Sequence, residues 1–164
     1  MRVFLTHTQD ALAGYYGDRA LAGLRSVCDV RLNTGGVLDA AALIDRAMGC
    51  DFIVSDRNTP APAVIFETLP DLVCWLRCAV DIRNVDVAAA SACGVLVTNA
   101  SPGFGASVSE LIVGMMIDLA RGITRYATAY HKGGEHHPAQ GVQLAGSRLG
   151  ILGYGTIEIG RAHV

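Results

Sequence analysis

WLRCAVDIRNVDVAAASACGVLVTNASPGFGASVSE, residues 75–110, decides the fold. It enters on the end of LVCWLRCAV (72–80), a run apolar on both faces, as a strand buried in a parallel sheet must be. VDVAAASACG (85–94) then reads as a short helix stopped by Gly94, and VLVTN (95–99) is strand-like again. The same alternation runs back to the N-terminus. VFLTH (3–7) is a strand, DRALAGLRSV (18–27) a helix opened by Asp18, and DVRLN (29–33) a strand stopped by Thr34, Gly35 and Gly36. LDAAALIDRAM (38–48) has apolar residues at helical spacing with Gly49 as terminator, and DFIVSD (51–56) is a strand. RNTPAPAVIFETL begins as a proline-containing loop. Repeated strand–helix alternation implies an α/β fold, a mostly parallel sheet with helices on both faces.

Beyond residue 100 the rhythm changes. SVSELIVGMMIDLARGITRYATAY (107–130) predicts one long helix, its propensity weakened slightly by Gly114 and Gly122. Its length suits a structural spine and a subunit contact. HKGGEHHPAQGVQ (131–143) is a polar connector, in which His131, His136 and His137 read as solvated rather than as metal ligands. SRLGILGYG (147–155) predicts a new strand running into a glycine turn. A boundary is therefore expected near residues 100–105, with the start of a second α/β unit after it.

Composition narrows the function classes. A chain of 164 residues, 51% hydrophobic and 17% charged, has material for a core and no mark of disorder. A formal net charge of −2 argues against a nucleic-acid or anionic-membrane surface. MRVFLTHTQD lacks the apolar stretch of a signal peptide, and no apolar run reaches the ~18–20 residues of a membrane span, so a cytoplasmic location is expected. Cys28, Cys50, Cys74, Cys78 and Cys93 are expected to be reduced core residues. No second Cys/His pair joins Cys74 and Cys78 to complete a zinc set, so no metal is expected.

The chemistry-bearing motif is the glycine turn. In G-x-G-x-x-G the first glycine turns the chain after the strand and the second lets backbone approach a pyrophosphate. The third packs helix on strand, and the helix N-terminus meets the phosphate. Gly153 and Gly155 follow LGIL, the context that the motif requires, so Gly153, Tyr154, Gly155, Thr156 and Ile157 are the candidate cofactor residues. Glu158 stands where the third glycine belongs.

RNVDVAAASACGVLVTN, SVSELIVGMMIDLAR and LAGSRLGILGYGTI, in that order and spacing, resemble the D-isomer-specific 2-hydroxyacid dehydrogenase family. The resemblance implies a flavodoxin-like substrate domain over 1–103, the start of a Rossmann domain over 104–157, and substrate in the cleft between. It implies NAD or NADP as cofactor and a small 2-hydroxy or 2-keto acid as substrate. It also implies a homodimer through the 107–130 helix of the intact parent. In the family, backbone N–H groups after the fourth strand hold the substrate carboxylate; the matching positions are Ala79, Val80 and Asp81. Glycines usual around this loop are replaced by Ala79 and Asp81, so the Asp81 carboxylate must point away from the substrate. The loop SDRNTP (55–60) faces the same cleft, offering Arg57 and Asn58 as substrate contacts, or as a solvated loop. Ser107, Val108 and Glu110 match the opening of the family's long helix, where Phe104 replaces an Asn and Glu110 is read as a helix cap. His7, ending the first strand, is read as structural.

Hydride transfer to a keto acid needs a proton donor and a cation on the carbonyl. The resemblance places these on an Arg, and on a His supported by an acidic residue, beyond the glycine turn; no residue here matches them, and the chain by itself is expected to be inactive. The ribose-binding acid expected ~20 residues past the turn is likewise unmatched. EIGRAHV (158–164) and a stop can be encoded by GAG-ATC-GGA-AGA-GCA-CAC-GTC-TGA, which apart from its first base matches a common sequencing-library adapter. Residues 158–164 are therefore expected to be a non-native tail. Two other function classes stand beside the enzyme: a non-catalytic dinucleotide-binding scaffold of the co-repressor kind, and a free-standing flavodoxin-like binding module.

Overall fold

The computed structural model describes the chain except Gly17, Pro102, Glu135–Pro138, Tyr154 and Thr156–Val164. The expectations for Tyr154, Thr156, Ile157, His136, His137 and the 158–164 tail fall outside the described residues. The chain divides into two compact units, Met1–Ser101 and Pro102–Val164.

In the first unit five strands, β1 (Arg2–Leu5), β2 (Asp29–Leu32), β3 (Phe52–Ser55), β4 (Cys74–Arg77) and β5 (Leu96–Asn99), form one sheet in the order β2-β1-β3-β4-β5. Every neighbouring pair is parallel. This is the doubly wound order of flavodoxin-like folds, with its switch point between β1 and β3. The helices are α1 (Gln9–Tyr15), α2 (Asp18–Val27), α3 (Ala40–Ala47), α4 (Ala63–Thr68) and α5 (Val87–Ala92). Thr8, Asp39 and Asp86 cap α1, α3 and α5, their side chains accepting from the N–H groups of Ala11, Ala42 and Ala89 at 3.3, 2.8 and 3.0 Å. Gly49 and Gly94 follow α3 and α5 with φ of 72° and 74°, the left-handed conformation that only glycine takes without strain.

Register explains the core. Phe4 pairs with Ile53, Ile53 with Trp75 and Trp75 with Val97, so one row of side chains crosses four strands on one face. Leu43 and Ala47 of α3, Ile65 and Phe66 of α4, and Ala90 of α5 are buried in the same cluster. Phe66 meets Trp75 edge-on, with ring centroids 5.9 Å apart.

Several expectations need correction here. The sequence pattern predicts neither α1 nor α4; the Thr8 cap starts the first, and Pro62, its φ already near the helical value, precedes the second. Cys50 and Cys74 are buried, but Cys78 and Cys93 are exposed, because each lies just past the end of its element.

In the second unit the predicted single helix is two, α6 (Gly105–Arg121) and α7 (Ile123–His131). Gly122, at φ 66°, ends α6 in the left-handed conformation. The Asp118 carboxylate then accepts from the N–H and hydroxyl of Thr124 at 2.6 and 2.7 Å, capping the new start. Those donors hold the Asp118 carboxyl below the usual carboxylate range. Glu110 caps nothing: α6 begins at Gly105, which places Glu110 past the first turn, and Phe104 at the N-cap has no side-chain acceptor to offer. Residues 147–153 form no strand, since no ladder partner stands beside them among the described residues and an unpaired strand has nowhere to place its backbone groups. Among the described residues of this unit only Ser109 is buried. No described helix is long and apolar enough to cross a membrane.

Candidate active site at the carboxyl ends of the strands

In a sheet whose strands all run one way, every strand delivers its C-terminal residue to one edge, and open α/β sheets bind ligands there. That edge carries the buried polar residues Thr6 and His7 after β1, Asn33 after β2, and Ser55 and Arg77 closing β3 and β4. The loop after β3 folds back on itself. Asp56 donates its N–H to the Thr6 hydroxyl at 3.0 Å and its carboxylate accepts from the Thr59 N–H at 2.9 Å. Arg57 and Asn58, at the tip, are exposed, and their side chains donate to no acceptor among the described residues beyond this loop or within it.

Arg77 ties this loop to the one after β4. Its Nη1 donates to the carbonyls of Asp56 and Thr59 at 2.5 and 3.2 Å, its Nη2 to Arg57 at 2.6 Å, and its Nε to Asp81 at 3.1 Å. Only 5% of the residue is exposed, yet its partners are carbonyl oxygens. Burial lowers the Arg77 pKa, and the nearby Asp56 and Asp81 carboxylates offset part of that.

The loop after β4 is asymmetric in its bonding. The carbonyl of Ala79 accepts from Ala100 N–H at 3.1 Å, that of Val80 from Asn99 Nδ2 at 2.9 Å, and that of Asp81 from Arg77. The N–H groups of Ala79, Val80 and Asp81 have no acceptor among the described residues. Every carbonyl of the triplet is engaged and none of its N–H groups is. The Asp81 side chain forms an ion pair with Arg83, Oδ2 to Nη2 at 2.7 Å, and takes the Arg83 N–H at 3.0 Å. Those hydrogen bonds hold its carboxyl far below the usual carboxylate range. The Asp81 charge is thereby paired.

A second group bridges the same edge. Tyr16, just after α1, places its hydroxyl 3.3 Å from His7 Nε2 and 2.8 Å from Cys78 Sγ. Since β3 separates β1 from β4, this phenol reaches across the end of the middle strand. Burial lowers the His7 pKa, with Asp56 opposing, and burial followed by the Cys78 contact raises that of Tyr16.

Sequence reasoning placed Ala79, Val80, Asp81, Arg57 and Asn58 at this edge but missed Arg77, Asn99, Tyr16 and Cys78. Arg77 carried a legible signal, as the polar last residue of an otherwise apolar strand, and Asn99 closes β5 at the corresponding place after Thr98. Tyr16 carried none, because only the sheet order brings it to Cys78. In the second unit Gly153 has φ 118°, a conformation open to glycine and fitting a sharp turn, and Gly155 follows two residues on.

The model of the family described as D-isomer specific 2-hydroxyacid dehydrogenase, catalytic domain, matches residues 6–153. D-3-phosphoglycerate dehydrogenase of Methanocaldococcus jannaschii is 34% identical over 140 residues, covering 84% of this chain and 26% of that protein. Hydroxypyruvate reductase of Thermotoga maritima is 32% identical over 108 residues, covering 65% of this chain and 35% of that protein. The solved TT0316 protein from Thermus thermophilus superposes with a TM-score of 0.81 at 25% identity, over 99% of this chain and 52% of that one. The chain spans about a quarter to a third of the curated relatives' length and about half of the solved chain. A parallel sheet in flavodoxin-like order, polar residues gathered at its carboxyl edge and a match from residue 6 to residue 153 lead to one conclusion: the chain belongs to the D-isomer specific 2-hydroxyacid dehydrogenase family.

Proposed function

We propose that this chain carries the substrate-binding part of an NAD(P)-dependent oxidoreductase acting on small 2-hydroxy or 2-keto acids, with residues 1–103 as the substrate domain and 104–157 opening the cofactor domain. The observation that supports this reading is the loop after β4, whose carbonyls are all bonded inward while its N–H groups are unoccupied. Converging backbone donors suit a carboxylate, because they lose no side-chain entropy on binding it. Ala79, Val80 and Asp81 take the substrate carboxylate, and Arg57 and Asn58 approach the rest of the molecule from the loop after β3.

The positive φ of Gly153 fits the turn of a dinucleotide site, so Gly153 and Gly155, with Tyr154, Thr156 and Ile157, are the residues that would hold NAD or NADP. When bound, the nicotinamide exchanges a hydride with the carbon bearing the hydroxyl or keto oxygen. This chain's own contribution is to fix the acid by its carboxylate and thereby orient that carbon. The proton donor and the carbonyl-polarising cation have no counterpart among its residues. The exposed apolar residues of α6, Leu111, Met115 and Leu119, support a homodimer through this helix in the intact parent. The names of its relatives, D-3-phosphoglycerate dehydrogenase and hydroxypyruvate reductase, support this substrate class, and a cytoplasmic location is proposed with it.

An assay of NADH and NADPH oxidation with hydroxypyruvate and glyoxylate tests the division of labour. The 164-residue chain alone is expected to give no turnover. Turnover by the pure chain overturns that division of labour, and a chain that binds neither acid nor dinucleotide overturns the reading itself.

A further inference from the structure

A trans peptide is planar, so the carbonyl of one residue and the N–H of the next point in opposite directions. Whatever captures a carbonyl therefore also aims the following N–H. Along the loop after β4 three successive carbonyls are captured: Ala79 by the Ala100 N–H, Val80 by Asn99 Nδ2, and Asp81 by Arg77 Nε. The N–H groups aimed by these captures are those of Val80, Asp81 and Ile82, and none has an acceptor among the described residues.

We propose that Asn99 and Arg77 are positioning residues that turn the Asp81 and Ile82 N–H groups outward, beside the Val80 N–H that the Ala100 N–H aims through the Ala79 carbonyl, as one anion-binding set. The inference rests on the carboxylate reading above and moves its donor triplet one residue along, from 79–81 to 80–82. Three observations carry it. The two captors come from different strands, β4 and β5, so both peptide planes are referenced to the sheet rather than to a free loop. Arg77 is buried, and its other bonds, to the carbonyls of Asp56, Arg57 and Thr59, bring the Arg57–Asn58 tip into the same frame. Around it the two loops are zipped by backbone bonds, Cys78 N–H to Ser55 O at 2.9 Å, Ala61 N–H to Asn84 O at 2.8 Å and Asp86 N–H to Ala61 O at 2.8 Å. A guanidinium serves here because its donors form a rigid planar fork; a lysine ammonium is a single point and cannot reach carbonyls so disposed.

The test uses the 164-residue chain, isotope-labelled, with D-glycerate as probe and with Asn99→Ala, Asn99→Asp and Arg77→Lys as variants. Two readouts are taken: residual dipolar couplings of the 80–82 amides without ligand, and amide shifts on titration with D-glycerate. Asn99→Ala is expected to reorient the Asp81 N–H and to weaken glycerate binding about fivefold to tenfold, the worth of one hydrogen bond. Arg77→Lys is expected to weaken it at least as much and also to disturb amides 57–59. Asn99 is exposed, so its variants should leave the fluorescence of the buried Trp75 and the urea midpoint unchanged, which separates positioning from folding. Couplings and affinity unchanged in Asn99→Ala and Arg77→Lys overturn the inference. Reoriented amides in the variants, with no glycerate shift at 80–82 in the parent chain, overturn the carboxylate reading and leave the positioning role standing. Glycerate shifts centred on Ala79, with Ile82 silent, return the donor set to 79–81 and overturn the one-residue displacement.

Discussion

The two units of this chain hold their irregular segments in opposite ways. In the first, the loops after β3 and β4 are irregular but have almost no freedom: Arg77, Asn99 and Asp56 bond their backbone at several successive residues, and the row Phe4, Ile53, Trp75 lies beneath them. In the second, the segment 139–153 is attached among the described residues by scattered bonds, Ala139 through the Tyr126 hydroxyl at 2.8 Å and Val142 through the Ala120 carbonyl at 2.9 Å. Leu152 there is wholly exposed. Rigidity in loops thus comes from reference to a packed sheet. A site built on the first kind is preorganised by its own chain.

Truncating the core should give the largest effect and the sharpest contrast. Trp75→Ala removes the side chain at the centre of the sheet and is expected to cost about 3–5 kcal/mol in urea unfolding followed by circular dichroism. Leu119→Ala, on an 85% exposed leucine of α6, should stay within about 0.5 kcal/mol. Equal costs would mean that the second unit has a core of its own and would break the comparison.

A smaller effect is expected at the left-handed glycines. Gly94→Ala meets no atom within 4 Å, so its cost is the φ penalty alone, about 1–2 kcal/mol. The turn cannot relax, because Gly94 N–H bonds Ser91 O and Val95 N–H bonds Ala90 O at 3.1 and 2.9 Å. Gly122→Ala carries the same φ penalty, and its Cβ would come within 3.1 Å of Arg125 Nη2 and 3.2 Å of Tyr126 Cε2, but α7 has no buried residue among those described and can relieve both by swinging into line with α6. It should cost less than Gly94→Ala and raise the helical signal; a larger cost than Gly94→Ala would show that α7 is anchored.

The smallest effect is pH-dependent. Because burial lowers the folded pKa of His7 below 6.5, the unfolded chain takes up the proton first as pH falls. The stabilising contribution is complete above 6.5 and is lost as pH drops through 6.5 toward the folded value. The urea midpoint should therefore fall between about pH 7.5 and about pH 5.5 in the parent chain, and fall less in His7→Gln. Equal slopes would place the titration elsewhere.

Much of this was legible in the residues. Alternation of apolar runs and capped helices identified the parallel α/β sheet, and the block from Trp75 to Glu110 with the glycine turn identified the family. The errors share a cause. A single helix over 107–130 follows from propensity, which scores Gly122 as a mild penalty; the left-handed turn is chosen because Asp118 can cap a new start. A strand over 147–153 follows from apolar pattern, yet a strand exists only through its neighbours. Cys78 reads as core because LVCWLRCAV is apolar apart from Arg77, whereas β4 ends at that residue.

The sequence by itself determined the fold class, the family and the place of the loop after β4, because periodicity, caps and motif order are local properties of the chain. Only the tertiary structure decided how that loop presents itself. The captors of its carbonyls, Arg77 from β4 and Asn99 from β5, and the phenol that reaches Cys78 from beyond α1, meet it through strand order and register. A peptide plane is oriented by whichever group bonds its carbonyl, and sequence distance says nothing of which group that will be.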